Sequence, residues 1–277
     1  MAYKSLVTFV ISEQGLPELL EKCTALAQRF DAHLEVCCLG VDATQSMGFY
    51  AGAPAIIYHQ ALDAAQATAK SLAQATEAQL RRAGIRYSTD SAVLTLGGVN
   101  ALVGLKARFA DLVILPRPYG PGQSLQDEVV TEAALFEGGA PVLILPEGDI
   151  PDFKRIVLAW NQSAEAIHAA RAALPLLIEA DLVDIAIVNP PSQGAERSDP
   201  GGMLATLLVR HGVEAEVSVL AKTLPRSSDV LLRHMTDKDA QLMVMGAYGR
   251  SRLREAILGG ATRELLENSD KALFLSR

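Results

Sequence analysis

Ala110-Asp111-Leu112-Val113-Ile114-Leu115-Pro116 returns 130 residues later as Ala240-Gln241-Leu242-Met243-Val244-Met245-Gly246. At the same offset Val142-Leu143-Ile144-Leu145 matches Ala272-Leu273-Phe274-Leu275. Further towards the N-terminus, Lys4-Ser5-Leu6-Val7-Thr8-Phe9-Val10 matches Lys154-Arg155-Ile156-Val157-Leu158-Ala159-Trp160 at an offset of 150. A repeat of this kind decides the architecture before any motif does. The offset shrinks by about twenty because the first copy carries extra residues, placed within Asp42 to His59. Pro146 to Asp152, with its proline, glycine and acids, reads as the linker, so residues 1–146 and 153–277 are expected to be two domains.

Each copy alternates short apolar runs with helical periodicity. In the first, Leu6 to Ile11, Leu34 to Val41, Ile85 to Leu94, Leu112 to Leu115 and Val142 to Leu145 read as strands. Leu62, Ala65, Ala69, Leu72, Thr76 and Leu80 recur at threes and fours as one face of a long helix ending near Gly84. In the second, the strands are Ile156 to Trp160, Leu182 to Val188, Val213 to Leu220, Leu242 to Met245 and Ala272 to Leu275. Helices fit at Ala164 to Ile178, Leu204 to Gly212, Val230 to Met235 and Arg252 to Asn268. Strands that alternate with helices pair in parallel, because a crossover helix is how parallel neighbours connect. The expected fold is α/β: two tandem five-stranded parallel-sheet, doubly wound (Rossmann-like) domains.

Composition narrows the function classes. The 277 residues are 49% hydrophobic and 21% charged, enough apolar surface for a real core. A net charge of -7 disfavours general binding of phosphate backbones, so no nucleic acid is expected as a partner. The absence of a continuous 20-residue apolar run and of a signal-type N-terminus point to no membrane and a cytoplasmic location. Cys23, Cys37 and Cys38 lack metal-ligand spacing and read as core thiols. His33, His59, His168, His211 and His234 are scattered and show no metal spacing either. The charge is also uneven: residues 1–150 carry 10 Lys+Arg against 16 Asp+Glu, residues 151–277 carry 15 against 16.

Doubly wound sheets bind ligands at the carboxyl ends of their strands, at the topological switch point. After the fourth strand of the second copy comes Gly246-Ala247-Tyr248-Gly249-Arg250-Ser251-Arg252-Leu253-Arg254-Glu255-Ala256-Ile257-Leu258-Gly259-Gly260-Ala261-Thr262. Gly246 and Gly249 are expected to allow positive-φ turns and close approach of backbone to a ligand. Arg250, Arg252, Arg254 and Arg263 account in part for the extra positive charge of the second half.

This Gly-x2-Gly-x9-Gly spacing after a fourth strand resembles the nucleotide loop of the universal stress proteins, and the duplication resembles their tandem, two-domain branch. The resemblance covers both copies, with the motif in the second alone. It implies an ATP or AMP site, with or without magnesium, a cytoplasmic stress-response role as sensor or regulator, and pairing of the domains through their fifth strands as an internal pseudo-dimer, or as a homodimer of chains. The family's glycines fall on Gly246, Gly249 and Gly259 and its pre-loop residue on Met245, with Tyr248, Arg250 and Ala261 as flanking members of the loop. Its phosphate-binding Ser or Thr falls on Gly260, which lacks the hydroxyl, and a second hydroxyl position falls on Thr262. Its acid at the first strand end falls on Asn161, flanked by Ala159 and Trp160, and a backbone contact to adenine falls on Val188.

Other readings stand beside these. Asn161 is as well suited to cap the following helix as to meet a ligand. Trp160 reads as a packing residue, and the loop arginines taken alone read as a solvated face. Where Gly246, Gly249, Gly259, Gly260 and Thr262 stand, the first copy has Pro116, Tyr119, Val129, Val130 and Glu132. Bulk, a missing amide donor and a carboxylate would all oppose a nucleotide there, so the first domain is expected to be degenerate. Its apolar insert Met47 to Tyr58 reads as a flap, a lid or a surface loop. No Walker loop, Gly-x-Ser-x-Gly or His-Glu-x-x-His constellation is present, and the protein is expected not to be an enzyme. A nucleotide-independent interaction module and a weak ATPase are the alternatives.

Overall fold

The computed structural model describes residues 2–42, 55–120, 122–190, 198–247 and 260–277. The chain forms two compact units, Ala2–Val142 and Leu143–Arg277, with the division inside a strand.

In the first unit the elements are β1 (Ser5–Val10), α1 (Leu16–Phe30), β2 (His33–Asp42), α2 (Ala55–Leu80), β3 (Arg86–Thr95), α3 (Leu96–Ala107), β4 (Leu112–Pro116), α4 (Leu125–Ala133), a π turn (Ala134–Gly138) that prolongs α4, and the start of β5 (Val142–Leu145), the strand in which the division falls. The strand order is β3-β2-β1-β4-β5, and β1 pairs in parallel with both β2 and β4. In the second unit they are β6 (Arg155–Ala159), α5 (Ala164–Ala172), α6 (Leu174–Glu179), β7 (Leu182–Val188), α7 (Gly202–Arg210), β8 (Ala215–Leu220), α8 (Ser227–Asp237), β9 (Leu242–Gly246), α9 (Gly260–Asn268) and β10 (Ala272–Ser276). The order is β8-β7-β6-β9-β10, again parallel. The α/β, tandem doubly wound fold expected from the repeat is what the chain adopts. Registers repeat as well: Leu6 faces Leu112 as Ile156 faces Leu242.

The central strands are buried on both sides, so they read as unbroken apolar runs: Leu112, Val113 and Ile114, like Leu242, Met243 and Val244, are fully buried. Helices cover them with one stripe each. In α1, Leu16, Leu20, Cys23, Leu26, Ala27 and Phe30 face inward at helical spacing. On α2 the predicted stripe holds at Ala65, Ala69, Leu72, Thr76 and Leu80, whereas Leu62 is 40% exposed. Gly40 is what lets α2 sit so low on β2, because a Cβ there would lie 1.9 Å from the carbonyl oxygen of Ala65.

Two helices differ from the periodicity. The single helix expected over Ala164 to Ile178 is broken at Ala173, since Pro175 has no N–H to continue the ladder and instead sits in the first turn of α6. Glycine-rich α3 shows almost no amphipathic contrast and escapes pattern reading. It is fixed by Thr95, whose hydroxyl accepts from Gly98 N at 3.3 Å.

Candidate functional site at the carboxyl ends of the second sheet

β6 lies between β7 and β9, so the topological switch point of the second unit is between β6 and β9. Ala159 pairs with Met245 on one side and Ala186 on the other, which brings the ends of β6 and β9 abreast, with β7 running two residues further to Val188. Trp160 continues the ladder by donating its N–H to Ala186 O at 2.9 Å, and its side chain is buried.

Beyond Trp160 the chain turns. Asn161 is exposed; its Oδ1 accepts from Ser163 N at 3.1 Å, and Gln162 between them has φ 64°. Ser163, not Asn161, caps α5, its Oγ accepting from Ala166 N at 3.1 Å. Of the two roles open to Asn161, the helix cap is therefore taken by another residue. Val188, half-buried, ends β7, and Asn189 after it turns with φ 48° while donating its N–H to Leu220 O.

Gly246 ends β9 opposite Ser276. It was expected to serve a positive-φ turn, but it is not among the glycines with positive φ. The reason for glycine is packing. A Cβ at Gly246 would lie 2.6 Å from both Ala166 N and the carbonyl carbon of Glu165, so only a bare Cα lets the first turn of α5 cross the strand end. Ala247 follows, fully buried, with its N–H on Ser276 O at 2.8 Å.

Tyr248, Gly249, Arg250 and Gly259 lie outside the described residues. The description resumes at α9, where Gly260 and Ala261 are exposed and Thr262 is buried with Leu265 and Leu266. A side chain at Gly260 would have open space apart from Glu264 Oε1, 3.7 Å from its Cβ. Arg263, one of the four arginines of the charge count, is partnered by Glu267 Oε1 at 2.7 Å. Glu264 is bound by the buried hydroxyl of Ser228 and faces Arg226, which also donates from Nε to Asp229 Oδ2 at 3.0 Å.

The first unit is built differently at the same stations. β4 ends on Pro116, and Tyr119 is buried. Val129, Val130 and Glu132 lie inside α4, which Ser124 and Asp127 start with a reciprocal capping box. Their amides belong to the helix ladder, not to a free loop. Of the insert, residues 43–54 lie outside the described residues.

Sequence reasoning passed over a polar cluster buried under the second sheet. Asp184, on β7, is only 2% exposed, and its Oδ2 accepts from Ser218 Oγ (2.9 Å), His234 Nε2 (3.2 Å) and Lys238 Nζ (2.8 Å). Burial opposes its ionisation, but Lys238, Ser218 and His234 together hold the carboxyl below the usual Asp range. Lys238 also reaches Glu216 Oε1 at 2.5 Å. The first unit has a looser counterpart, in which Lys106 joins Glu35 (2.6 Å) and Asp90 (3.0 Å). A lone acid in an apolar strand gives no pattern by which these partners, far apart in sequence, could be named.

Burial pushes the Cys23 and Cys37 thiols up to about 12, which leaves them core groups with little thiolate. A groove of about 780 Å³ lies in the first unit between α2 and β3, with Lys70, Gln74, Glu77 and Arg81 on one wall and Thr89 and Ser91 on the other. Its carboxylate, Glu77, is already tied to Arg81, Tyr87 and Thr89. Among the described residues no helix is long and apolar enough to cross a membrane, and no group of three His, Cys, Asp or Glu is placed to hold a metal ion.

Comparison with known proteins agrees with this architecture. The family model described as universal stress protein family matches residues 152–277. A curated universal stress protein of Synechocystis sp. is 24% identical over 130 residues, 47% of this chain and 44% of that protein; the match thus spans less than half of the relative's length. A solved universal stress protein from Archaeoglobus fulgidus is similar over 99% of this chain and 96% of its own, with a TM-score of 0.70 at 16% identity. A functionally unknown protein from Pseudomonas aeruginosa gives 0.62 at 17% identity, covering 99% and 92%. At such identities the structural likeness is one of fold.

Proposed function

We propose that the second unit, whose residues 152–277 match the universal stress protein family model, binds an adenine nucleotide, ATP or AMP with or without magnesium, as a sensor or regulator of a stress response. One observation carries the reading most directly: Ala159 and Met245 end abreast at the switch point, with the glycine-spaced segment from Gly246 to Thr262 issuing from it. Ala159, Trp160, Asn161 and Val188 would line the adenosine side. Met245, Gly246, Tyr248, Gly249, Arg250, Gly259, Gly260, Ala261 and Thr262 would form the phosphate side. The sequence offers no clear candidate for a general base beside the reacting phosphate, and binding without turnover is the chemistry proposed. The first unit, whose matching stations Val129, Val130 and Glu132 lie inside α4, is taken not to bind nucleotide in this manner. Pairing through the fifth strands β5 and β10, as a pseudo-dimer or between chains, and a cytoplasmic location complete the proposal.

Calorimetric titration of the full chain with ATP and AMP, with and without magnesium, tests it. Saturable heat is expected for the wild type, with loss on Gly249→Arg. Gly260→Ser restores the hydroxyl into open space and is expected to tighten ATP several-fold, in keeping with about 1 kcal/mol for an added hydrogen bond. No heat from the wild type would overturn the reading in favour of a nucleotide-independent interaction module, which the absent hydroxyl at Gly260 favours.

A further inference from the structure

At Gly260 the missing hydroxyl leaves space bordered by a carboxylate, Glu264 Oε1 at 3.7 Å from the Cβ position. Glu264 stands one turn on, along the same side of α9 as Gly260. Unscreened, that charge would repel a phosphate held at the start of the helix.

Glu264 is not left unscreened. From α8 the fully buried Ser228 donates its hydroxyl to Oε2, which holds the carboxylate on the α8 side. Arg226 Nη1 lies 3.7 Å from Oε1, and Nε of the same guanidinium is held by Asp229 Oδ2 at 3.0 Å. Arg226 is the last residue before α8, in the connection that leaves the carboxyl end of β8, and its side chain is 52% exposed. Asp229 holds the guanidinium against Glu264, the carboxylate that borders Gly260, and the bond from Nε leaves further planar N–H donors for an anion.

We infer that Arg226 is a phosphate-reading residue of the second unit: its guanidinium engages the phosphates of a nucleotide seated against Gly260 to Thr262 and supplies the contact that the absent hydroxyl does not. Asp229 and Glu264 are positioning residues that aim it. The inference rests on the nucleotide reading above, and the ligand class it adds is phosphorylated over unphosphorylated nucleoside.

Affinities of the full chain for ATP and for adenosine, in the wild type, Arg226→Gln and Arg226→Lys, decide it, with thermal unfolding of each ligand-free variant as the check on folding. Arg226→Gln is expected to weaken ATP about tenfold or more, the value of a charge-assisted hydrogen bond, and to leave adenosine unchanged. Arg226→Lys, which keeps the charge and loses the fork, is expected to fall between. Equal ATP affinity in Arg226→Gln and wild type overturns the assignment, and so does an equal loss for ATP and adenosine, which would mark a purely structural clamp. A wild type that binds neither ATP nor AMP nor adenosine overturns the nucleotide reading itself, an outcome distinct from either of those.

Discussion

Asp184 shows how much one side chain can carry in a sheet this apolar. Its Oδ2 collects three donors while Oδ1 is buried without a hydrogen-bond partner among the described residues, so the carboxylate is committed to one geometry. Removing its charge leaves Lys238 with Glu216 and about a third of its surface in solvent, which moderates the loss. Asp184→Asn is therefore expected to cost about 2 kcal/mol, below the 3–5 kcal/mol of a fully buried broken pair, as read by urea unfolding at neutral pH. The pH dependence has a definite sign. The folded-state carboxyl is held below its ordinary value of 3.8, so the stabilisation is fully present above that value and disappears as pH falls through the depressed folded value. The gap between wild type and Asp184→Asn should stay flat down to about pH 5 and close only in stronger acid; a gap that widened on acidification would contradict the assignment.

At the scale of elements, glycines set how closely helices approach strands. Gly40 admits α2 against β2, and Gly246 admits α5 against β9. Gly40→Ala would drive a Cβ into the backbone of Ala65, an atom that moves only if α2 moves. A loss of more than the 1–3 kcal/mol typical of overpacking is expected, measured as a lower urea midpoint. Gly97→Ala is the matching control: it sits in α3 with nothing within 4 Å of the added Cβ and no positive φ. There the same substitution should be neutral or stabilise by up to about 1 kcal/mol, because alanine is the better helix former. Identical outcomes at the two glycines would refute the packing account.

The whole molecule is two compact units of one topology, unequal at the carboxyl ends of their sheets. A ligand confined to one unit stabilises that unit by mass action, by about 2.7 kcal/mol at a hundred times its Kd. Hydrogen exchange of the full chain with saturating ATP is therefore expected to gain protection at the ends of β6 and β9 and in α9, with β1 to α4 unchanged. Protection appearing after β4 instead would place the ligand in the first unit.

The repeat and the parallel strands were legible in the sequence, because periodicity and self-similarity are properties of neighbours along the chain. The three cysteines as core groups followed in the same way from their apolar surroundings. Tertiary structure decided the rest. It gave the cap of α5 to Ser163, replaced turn conformation by helix contact as the reason for Gly246, gathered Asp184 with His234 and Lys238, and set Arg226 beside Glu264 at the edge of Gly260. The cap is a local bond, but each of the others depends on groups brought together from different elements, at distances fixed only when the helices settle on the sheet. Local patterns show which face of an element is buried; they do not name what it is buried against.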